Sequence, residues 1–387
     1  MHDARRSAQG DRVSREARIV YVHGRPGPHP NRLRLLAAIG ARLVPVDPVL
    51  PWAHLAAPPR GRKYLSLLLS ALTFPERRRW DLILGDEPQH LPVVLRTLGR
   101  LAPEQKIVPY VGGEFAYFLA TGYYGPRRTA LLRWWFTRWH AYLCLGPMVA
   151  ELVRRVLPLP RHQDVFSFPN FVRAERVPEL LGVDARLDAP RLLFIGHGPS
   201  GFRAYYKGLD LMADAFARAR GRRPDLGWSI AGDWDPGFAR DLERTAALPA
   251  GAVRWLGPLS HLGDVVGTHA LYLHCARGEA WGITVMEAML AGVPALVSEW
   301  TGTRHLVAAV DGRLVAPLDA GAIADRIVWY FELPVAERRR LGARARDIVQ
   351  QGYQEAQAIP AFRETVGRLL AHLGRTDLVL PSWSATP

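Results

Sequence analysis

Residues 270–298 read "ALYLHCARGEAWGITVMEAMLAGVPALVS", and this stretch decides the fold. "ALYLHC" (270–275) is typical of a buried strand and "ARGEAW" (276–281) of a loop. An apolar helix is predicted from Gly282, and the glycine and proline of "GVP" end it. The run "PALVS" (294–298) predicts the next strand. A strand, a helix and a second strand in this order indicate one unit of a parallel sheet.

Two glutamates, Glu279 and Glu287, interrupt this otherwise apolar or small stretch. Glu279 comes just before the helix start, where free backbone N–H groups bind anions or hydroxyls. Glu287 falls inside the helix, where an ionised carboxylate without partners is expensive to bury. Two interpretations remain open: Glu287 faces solvent on a polar side of the helix, or the two glutamates bind a ligand together.

The alternation of apolar runs and helical segments continues along the whole chain. Candidate strands lie at 18–24, 41–46, 81–86, 106–113, 141–146 and 165–170, and then at 191–198, 227–233, 252–257, 270–275, 294–298 and 312–317. Strands separated by helices indicate parallel sheets that are covered on both faces. The sequence therefore predicts an α/β protein with two Rossmann-like, doubly wound domains that face a central cleft, in which ligands bind beyond the carboxyl ends of the strands.

The domain boundaries are predicted from the places where this pattern fades. The first domain is expected over 17–172, followed by a charged, proline-containing linker over 173–190. The second domain is expected over 191–352. A C-terminal helix is expected over 353–376, and the first domain is a candidate surface for it to pack on. A proline-containing tail begins after 377.

Composition limits the partners and the compartment. The 387 residues are enough for two domains, and the formal net charge is +14 with only three lysines, so nearly all the basic residues are arginines. No nucleic-acid motif accompanies this charge, which makes an anionic membrane the better candidate partner. Cys144 and Cys275 lie in apolar runs, as in a reducing compartment. With no secretory signal and no run of about 18 apolar residues, we expect a cytoplasmic protein, with the inner face of the membrane as a candidate location.

The E-x7-E pair of Glu279 and Glu287, followed by "AMLAGVPALVSEWTG", resembles the signature of the family 4 retaining glycosyltransferases, which have the GT-B architecture. The resemblance extends through "LLFIGHG", "YYKGLDLMADAFARA", "WSIAGD", "VRWLGPLSH" and "DGRLVAPLDAGAIADRI". In the first half it is limited to the strand order, "YVGGE" and "FPNFV". It implies a retaining hexosyltransferase that uses a nucleotide sugar, with front-face attack and the leaving diphosphate taking the acceptor's proton.

The resemblance also implies roles for residues of the second domain. Glu279 would contact the hydroxyls of the donor sugar, and Glu287 would hold the ribose. Lys207, in "YYKG", corresponds to the lysine that neutralises the diphosphate, where a fixed cation favours the transition state. His197 stands in place of the usual arginine, so either His197 or Arg203 would supply a second cation. The backbone N–H groups that would face the diphosphate or the sugar are those of Gly282, Ile283 and Thr284.

Acceptor-side residues are predicted in the first domain. In "YVGGEF" (110–115), Gly113 would let a ligand approach the backbone closely. Glu114 would bind the acceptor or handle its proton, which makes it a predicted catalytic residue beside Glu279 and Lys207; a role as a helix-capping acid is equally open. Gly24 and Arg25 occupy the place where the family's glycine-rich loop meets the acceptor.

Two other motifs have the form of a cofactor site or a metal site. "GHGPSG" (196–201) has the G-x-G-x-x-G form of a nicotinamide site, but the candidate acid, Asp233, comes too late in the sequence. "DWD" (233–235) has a metal-binding form, and we interpret it as a solvated loop. The sequence therefore predicts no cofactor and no essential metal. The nucleotide sugar is expected as a co-substrate.

Two segments interleave basic with large apolar residues, at 127–143 and 60–80. Tryptophan with arginine on a helix suits the interfacial zone of a membrane, although ordinary core helices with solvated arginines explain each segment as well. Because both belong to the first domain, a lipid-linked or envelope glycan is the hypothesis for the acceptor. Two rival functions remain: a nucleotide-sugar epimerase of the same architecture, and a non-catalytic membrane-associated subunit that binds nucleotide sugars.

Overall fold

A computed structural model describes residues 14–23, 27–45, 79–86, 91–113, 115–159, 164–198 and 201–384. These residues form two six-stranded parallel sheets, each with helices packed on it, and one pair of two-residue strands. The predicted fold class, with two Rossmann-like parallel sheets, is confirmed. Among the described residues, no helix is both long enough and apolar enough to cross a bilayer.

The sheet of the first domain has the order β3-β2-β4-β5-β6-β7. Val20 in the second strand pairs with Arg42 on one side and with Ile83 on the other. The inner strands of this sheet are buried on both faces, which explains why their sequences are apolar without alternation. The strands, counted from the small N-terminal β1 (Arg15–Glu16), are β2 (Ile19–His23), β3 (Arg42–Pro45), β4 (Leu82–Asp86), β5 (Lys106–Val111), β6 (Tyr142–Leu145) and β7 (Val165–Phe168).

Five helices among the described residues belong to this first domain, and four of them have a proline in the first turn, where its missing N–H is not needed. They are α1 (Pro30–Ala38), α2 (Leu91–Thr97), α3 (Phe115–Ala120), α4 (Pro126–Phe136) and α5 (Gly146–Val156). The segment between the domains is not a plain connector. It contains a short 3-10 turn, Ala174–Arg176, and the helix α6 (Val177–Leu181), which packs against the second domain.

The sheet of the second domain has the order β10-β9-β8-β11-β12-β13, so the strand order reverses between β8 and β11. In open α/β sheets this switch point is where ligands bind. The strands are β8 (Arg191–Ile195), β9 (Gly227–Ala231), β10 (Val253–Gly257), β11 (Leu271–His274), β12 (Ala295–Ser298) and β13 (Val315–Ala316). The helices are α7 (Phe202–Lys207), α8 (Leu209–Arg222), α9 (Pro236–Thr245), α10 (Leu262–Val266), α11 (Ile283–Leu290), α12 (Arg304–Val310), α13 (Ala320–Glu332) and α14 (Val335–Gly352).

After α14 the chain crosses back to the first domain. The helix α15 (Glu355–His372) packs against β7, with the rings of Phe362 and Phe168 4.8 Å apart. The strand β14 (Leu378–Val379) then pairs in parallel with β1, Arg15 opposite Leu378. The sequence predicted only a tail after 377, because a two-residue strand is too short to show a period.

Two contacts at glycines bring the domains close together beside the central cleft. Trp281 of the second domain packs on Gly146 of the first, where an added Cβ would lie 2.6 Å from the indole ring. Tyr117 of α3 covers Gly278 of the second domain, which has a φ of +79° and no room for a Cβ. Both approaches require glycine, since any side chain would push the two domains apart.

Candidate functional site

A cavity of about 280 Å³ lies between the two domains at the carboxyl ends of β8 and β11. It therefore occupies the switch point of the second sheet, where the sequence predicts ligand binding. The first domain lines it with His29, Asn31, Arg32, Tyr110, Gly112, Leu145 and Asn170. The second domain lines it with Ile195, Gly196, His197, Arg203, Lys207, His274, Glu279, Ala280, Trp281, Gly282, Ile283 and Thr284.

Lys207 and Glu279 form an ion pair on the wall of this cavity, with the Lys207 ammonium donating a hydrogen bond to Oε2 of Glu279. Their side chains are only 13% and 15% exposed. Burial by itself disfavours the carboxylate, but the neighbouring Lys207 and His274 together outweigh that effect and hold the pKa of Glu279 well below its usual value. Glu279 is therefore ionised at neutral pH, as a group that accepts hydrogen bonds from hydroxyls must be.

Lys207 is positioned by the junction of two helices. It is the last residue of α7, and Gly208 follows in the left-handed conformation with φ +72°. A Cβ at Gly208 would overlap the carbonyl of Cys275, so the junction packs directly on the chain just after β11. This contact explains why the ammonium and the Glu279 carboxylate meet although the two residues are 72 positions apart.

The loop that carries Glu279 is fixed by its backbone. Gly302 donates its N–H to the carbonyl of Glu279 at 2.7 Å, and a Cβ on Gly302 would overlap the carbonyl of Ala280. Gly282 then turns the chain into α11 with φ +73°. Ile283 and Thr284, at the start of that helix, line the cavity, where unpaired N–H groups attract anions.

His197 and Arg203 both line the same cavity. The Nε of Arg203 donates to the carbonyl of His197 at 3.4 Å, and the Arg203 side chain lies against Gly198. Both residues thus line the same cavity as Lys207. The choice between them as the second cation stays a prediction.

Glu287 lies in the middle of α11 and is 8% exposed. The interpretation that it faces solvent is therefore wrong. Burial raises its pKa, while the charges of Arg176 and Arg173, beside the helix α6 that packs on α11, lower it. It is not among the described residues that line the cavity, so its predicted contact with a ribose stays a prediction.

Three predicted acceptor-side residues, Gly24, Arg25 and Glu114, lie outside the described residues. Gly113 is described and half-buried, and its neighbour Gly112 lines the cavity. In "DWD", Asp233 and Asp235 are exposed, and Asp235 caps α9 by accepting the N–H of Phe238 at 2.8 Å. Among the described residues, no three His, Cys, Asp or Glu side chains gather closely enough to hold a metal ion.

The first domain contributes polar residues that the sequence analysis missed. Asn31 donates through Nδ2 to the side chain of Asn170 at 2.9 Å and to the carbonyl of Phe171 at 2.7 Å. Arg32 is held by hydrogen bonds to Tyr21 at 2.9 Å and to Asp86. The strings "HPNR" and "FPNFV" were the available signals, because asparagine and arginine there follow prolines at the ends of strands or loops.

His274, at the end of β11, was also missed. It is 1% exposed and lines the cavity, with Nε2 3.6 Å from Oε2 of Glu279. The only signal in the sequence was one polar residue at the end of the apolar run "ALYLHC".

The basic and aromatic segment 127–143 divides into two parts. In α4 only Phe136 is buried, whereas Leu131 and Trp134 are 57% and 49% exposed. Trp139, just after the helix, belongs to the core. Of the second such segment, 60–80, only residues 79 and 80 are among the described residues. One exposed face of α4 therefore combines large apolar side chains with Arg127 and Arg128.

Comparison with known proteins supports the resemblance to glycosyltransferases. The model of the family described as "Glycosyl transferases group 1" matches residues 189–332, which cover the second sheet with its linking helices. A phosphatidyl-myo-inositol mannosyltransferase from Mycobacterium leprae is 27% identical over 218 residues, which are 54% of this chain and 55% of that protein. One from Mycobacterium tuberculosis is 28% identical over 208 residues, 50% and 52% of the two chains. The chain thus spans about half the length of these curated relatives.

Solved structures match over nearly the whole chain. Sucrose-phosphate synthase from Thermosynechococcus elongatus has a TM-score of 0.68 at 17% identity, covering 92% of this chain and all of that one. HepE from Anabaena, in complex with UDP-glucose, has a TM-score of 0.64 at 15% identity, covering 91% and 100%. WaaG, a glycosyltransferase involved in lipopolysaccharide biosynthesis, has a TM-score of 0.63 at 14% identity, and the match covers 90% of this chain and 100% of that one. The resemblance to family 4 glycosyltransferases and the GT-B fold are confirmed.

Proposed function

We propose that this chain, a family 4-like glycosyltransferase by its second domain and a GT-B protein by its fold, is a retaining hexosyltransferase that uses a nucleotide sugar. One observation carries the proposal: at the switch point of the second sheet, a buried Lys207–Glu279 pair and the start of α11 line one cavity. A nucleotide sugar offers an anionic diphosphate and a hydroxyl-bearing ring, and these are the groups that an ammonium with backbone N–H donors and a carboxylate bind.

Lys207 supports the chemical step through its charge. The diphosphate gains negative charge as the glycosidic bond breaks, and a fixed ammonium in a site shielded from water stabilises that charge. His197 or Arg203 adds a second positive charge beside it. The N–H groups at the start of α11 add a partial positive charge, since the helix dipole is positive at that end.

Retention is proposed to follow from front-face attack. Among the described residues that line the cavity, Glu279 is the only carboxylate, and its proposed task is to accept hydrogen bonds from the hydroxyls of the donor sugar. A carboxylate bound in this way is a poor nucleophile for a double displacement. The acceptor hydroxyl would therefore attack from the side of the leaving diphosphate and transfer its proton to the diphosphate. We assign Glu114 no step in this mechanism.

The nucleotide itself is proposed to extend towards Glu287. That side chain lies beyond the described cavity, near Arg173 and Arg176 of the linker segment. A ribose bound there would donate hydroxyl hydrogen bonds to a carboxylate that burial otherwise disfavours. The same contact would bring the linker segment into the donor site.

For the acceptor we propose a lipid with a polyol headgroup. Asn31, Asn170 and His29 face the cavity from the first domain with neutral hydrogen-bonding groups, since burial and nearby arginines lower the pKa of His29. The curated relatives are named for a phosphatidyl-inositol acceptor, which is such a lipid. The exposed apolar and basic face of α4 suits contact with an anionic membrane, and we place the protein at its cytoplasmic face.

The test is an incubation of the protein with a panel of labelled nucleotide hexoses and vesicles that contain phosphatidylinositol. We expect transfer of one sugar to the lipid, with the anomeric configuration of the donor kept in the product as read by NMR. An inverted anomer would contradict retention. Formation of a free epimer would favour the epimerase alternative, and binding without turnover would favour the non-catalytic alternative.

A further inference from the structure

His274 is a buried polar side chain that the proposed function does not yet use. Its ring is 1% exposed, and within the part of the chain that the structure describes neither Nδ1 nor Nε2 has a hydrogen-bond partner. Buried polar groups are rarely left unpaired in folded proteins. Because His274 lines the donor cavity, its missing partner is expected to be a group that arrives, or moves, when the cavity is occupied.

The histidine ring is held in place by aromatic neighbours. It stacks on Tyr272 with 6.0 Å between ring centroids and an angle of 17°, and Phe194 of β8 lies 5.5 Å away. Burial lowers the pKa of His274, so the ring is neutral at pH 7. A neutral imidazole has one N–H donor and one acceptor nitrogen.

Oε2 of Glu279 is the atom at which these observations meet. It accepts the hydrogen bond from Lys207, and it is also the carboxylate oxygen 3.6 Å from Nε2 of His274. If a bound diphosphate attracts the Lys207 ammonium, this oxygen loses its donor. A small rotation of the Glu279 side chain would then bring Oε2 within hydrogen-bond distance of the imidazole.

We propose that His274 is a positioning residue that donates an Nε2–H hydrogen bond to Oε2 of Glu279 once substrate diphosphate draws Lys207 away. The other carboxylate oxygen, Oε1, stays free to accept the hydroxyls of the donor sugar. The inference rests on the proposed function, because it needs a diphosphate to compete for Lys207. It adds a residue whose role is to keep Glu279 oriented during the exchange.

An ordinary buried histidine behaves differently in the same domain. His269, just before β11, is 3% exposed, and its Nε2 pairs with the Ser229 hydroxyl at 2.8 Å. Its Nδ1 lies 2.7 Å from the carbonyl of Val265. Both of its ring nitrogens are thus engaged, away from the cavity. Within the described residues His274 lacks such partners, which separates it from a histidine that only fills the core.

The experiment compares His274→Phe with His274→Gln. Phenylalanine keeps the stacked ring but removes the donor, whereas glutamine puts an amide N–H near the position of Nε2. We expect His274→Phe to lower kcat about 10- to 100-fold with an unchanged KM for the acceptor, and His274→Gln to recover most of it. Because the nucleoside diphosphate and the nucleotide sugar both draw Lys207 away from Glu279, we expect the Kd of each to rise in His274→Phe and to recover in His274→Gln.

Two further measurements separate positioning from stability. His269→Phe is the control, expected to lower the Tm but to leave kcat unchanged. Combined with Glu279→Gln, His274→Phe should add little further loss, because both changes remove the same interaction. Full kcat in His274→Phe, no recovery in His274→Gln, or additive losses would each overturn the proposal. If the unmodified protein binds and turns over no nucleotide sugar, the proposed function itself fails first.

Discussion

Lys207 and Glu279 form a largely buried ion pair between the end of α7 and the loop after β11. The resemblance to family 4 glycosyltransferases implies separate tasks for them, one at the diphosphate and one at the sugar. Their pairing means that each holds the other in place before substrate binds. It also means that a substrate must compete for the ammonium, so the two tasks are coupled.

Removing one partner of this pair should harm both activity and stability. Lys207→Met leaves the buried Glu279 carboxylate without its charged partner, and we expect unfolding measurements in urea to show a loss of about 3 kcal/mol. We expect kcat to fall about 10²- to 10³-fold, since a cation at the leaving group is lost. The double variant Lys207→Met/Glu279→Gln should regain most of the stability but none of the activity.

An exposed pair supplies the control for this experiment. Arg218 and Asp214 on α8 are joined at 2.9 Å with side chains about half exposed. Arg218→Met should change the free energy of unfolding by less than about 1 kcal/mol, because solvent screens exposed pairs. Equal losses of unfolding free energy in Lys207→Met and Arg218→Met would show that the buried Lys207–Glu279 pair stabilises the fold no more than an exposed pair does.

The contact between Tyr117 and Gly278 should control how closely the domains approach. In Gly278→Ala the new Cβ overlaps the Tyr117 side chain, so we expect the cleft to open and kcat/KM to fall. Small-angle scattering would report the opening as a larger radius of gyration. Gly251→Ala is the matched control, because Gly251 has the same φ of +79° but nothing within 4 Å of the added Cβ. A radius of gyration unchanged in both variants would contradict this prediction.

The exposed face of α4 should bind anionic vesicles. Replacing Leu131 and Trp134 by serine removes the two large apolar side chains that are 57% and 49% exposed. We expect at least a tenfold loss of partitioning into vesicles with phosphatidylinositol, measured by co-sedimentation, because burial of apolar area drives interfacial binding. Leu98→Ser, at a leucine that is 45% exposed elsewhere in the first domain, should leave binding unchanged. Unaltered partitioning of the α4 variant would assign membrane contact to another surface.

His269 should make the protein sensitive to mild acid. Burial lowers its pKa from 6.5 to about 4. Between these two pH values the His269 imidazole is protonated in the unfolded chain but stays neutral in the folded protein. Its contribution to stability is present above pH 6.5 and is lost as the pH falls towards 4, by up to about 1.4 kcal/mol per pH unit.

Urea unfolding at several pH values checks this slope. His269→Gln should unfold at lower urea than the parent at pH 8, because hydrogen bonds are lost, but the gap should narrow between pH 6.5 and 4. Other buried histidines remain in both proteins, so the difference isolates His269. A gap that is constant with pH would contradict the predicted linkage.

Much of the fold could be predicted because it depends on local patterns. Apolar runs and glycine or proline breaks located the strands of both sheets within a few residues. The spacing of Glu279 and Glu287 marked the segment around α11 as a candidate ligand-binding motif. The pairing of β14 with β1 was missed, since two-residue strands carry no period and their partner lies at the other end of the chain.

The sequence by itself determined the two-domain α/β architecture, because strand and helix periods are local properties, and its resemblance to family 4 glycosyltransferases predicted site residues in the second domain. Only the tertiary structure decided which of these groups meet. It joined Lys207 to Glu279 and buried Glu287 inside α11, and among the described residues it left the His274 ring without a hydrogen-bond partner beside the cavity. These relationships depend on how separate strands and helices pack in space, and contacts across 72 residues leave no trace in local sequence patterns.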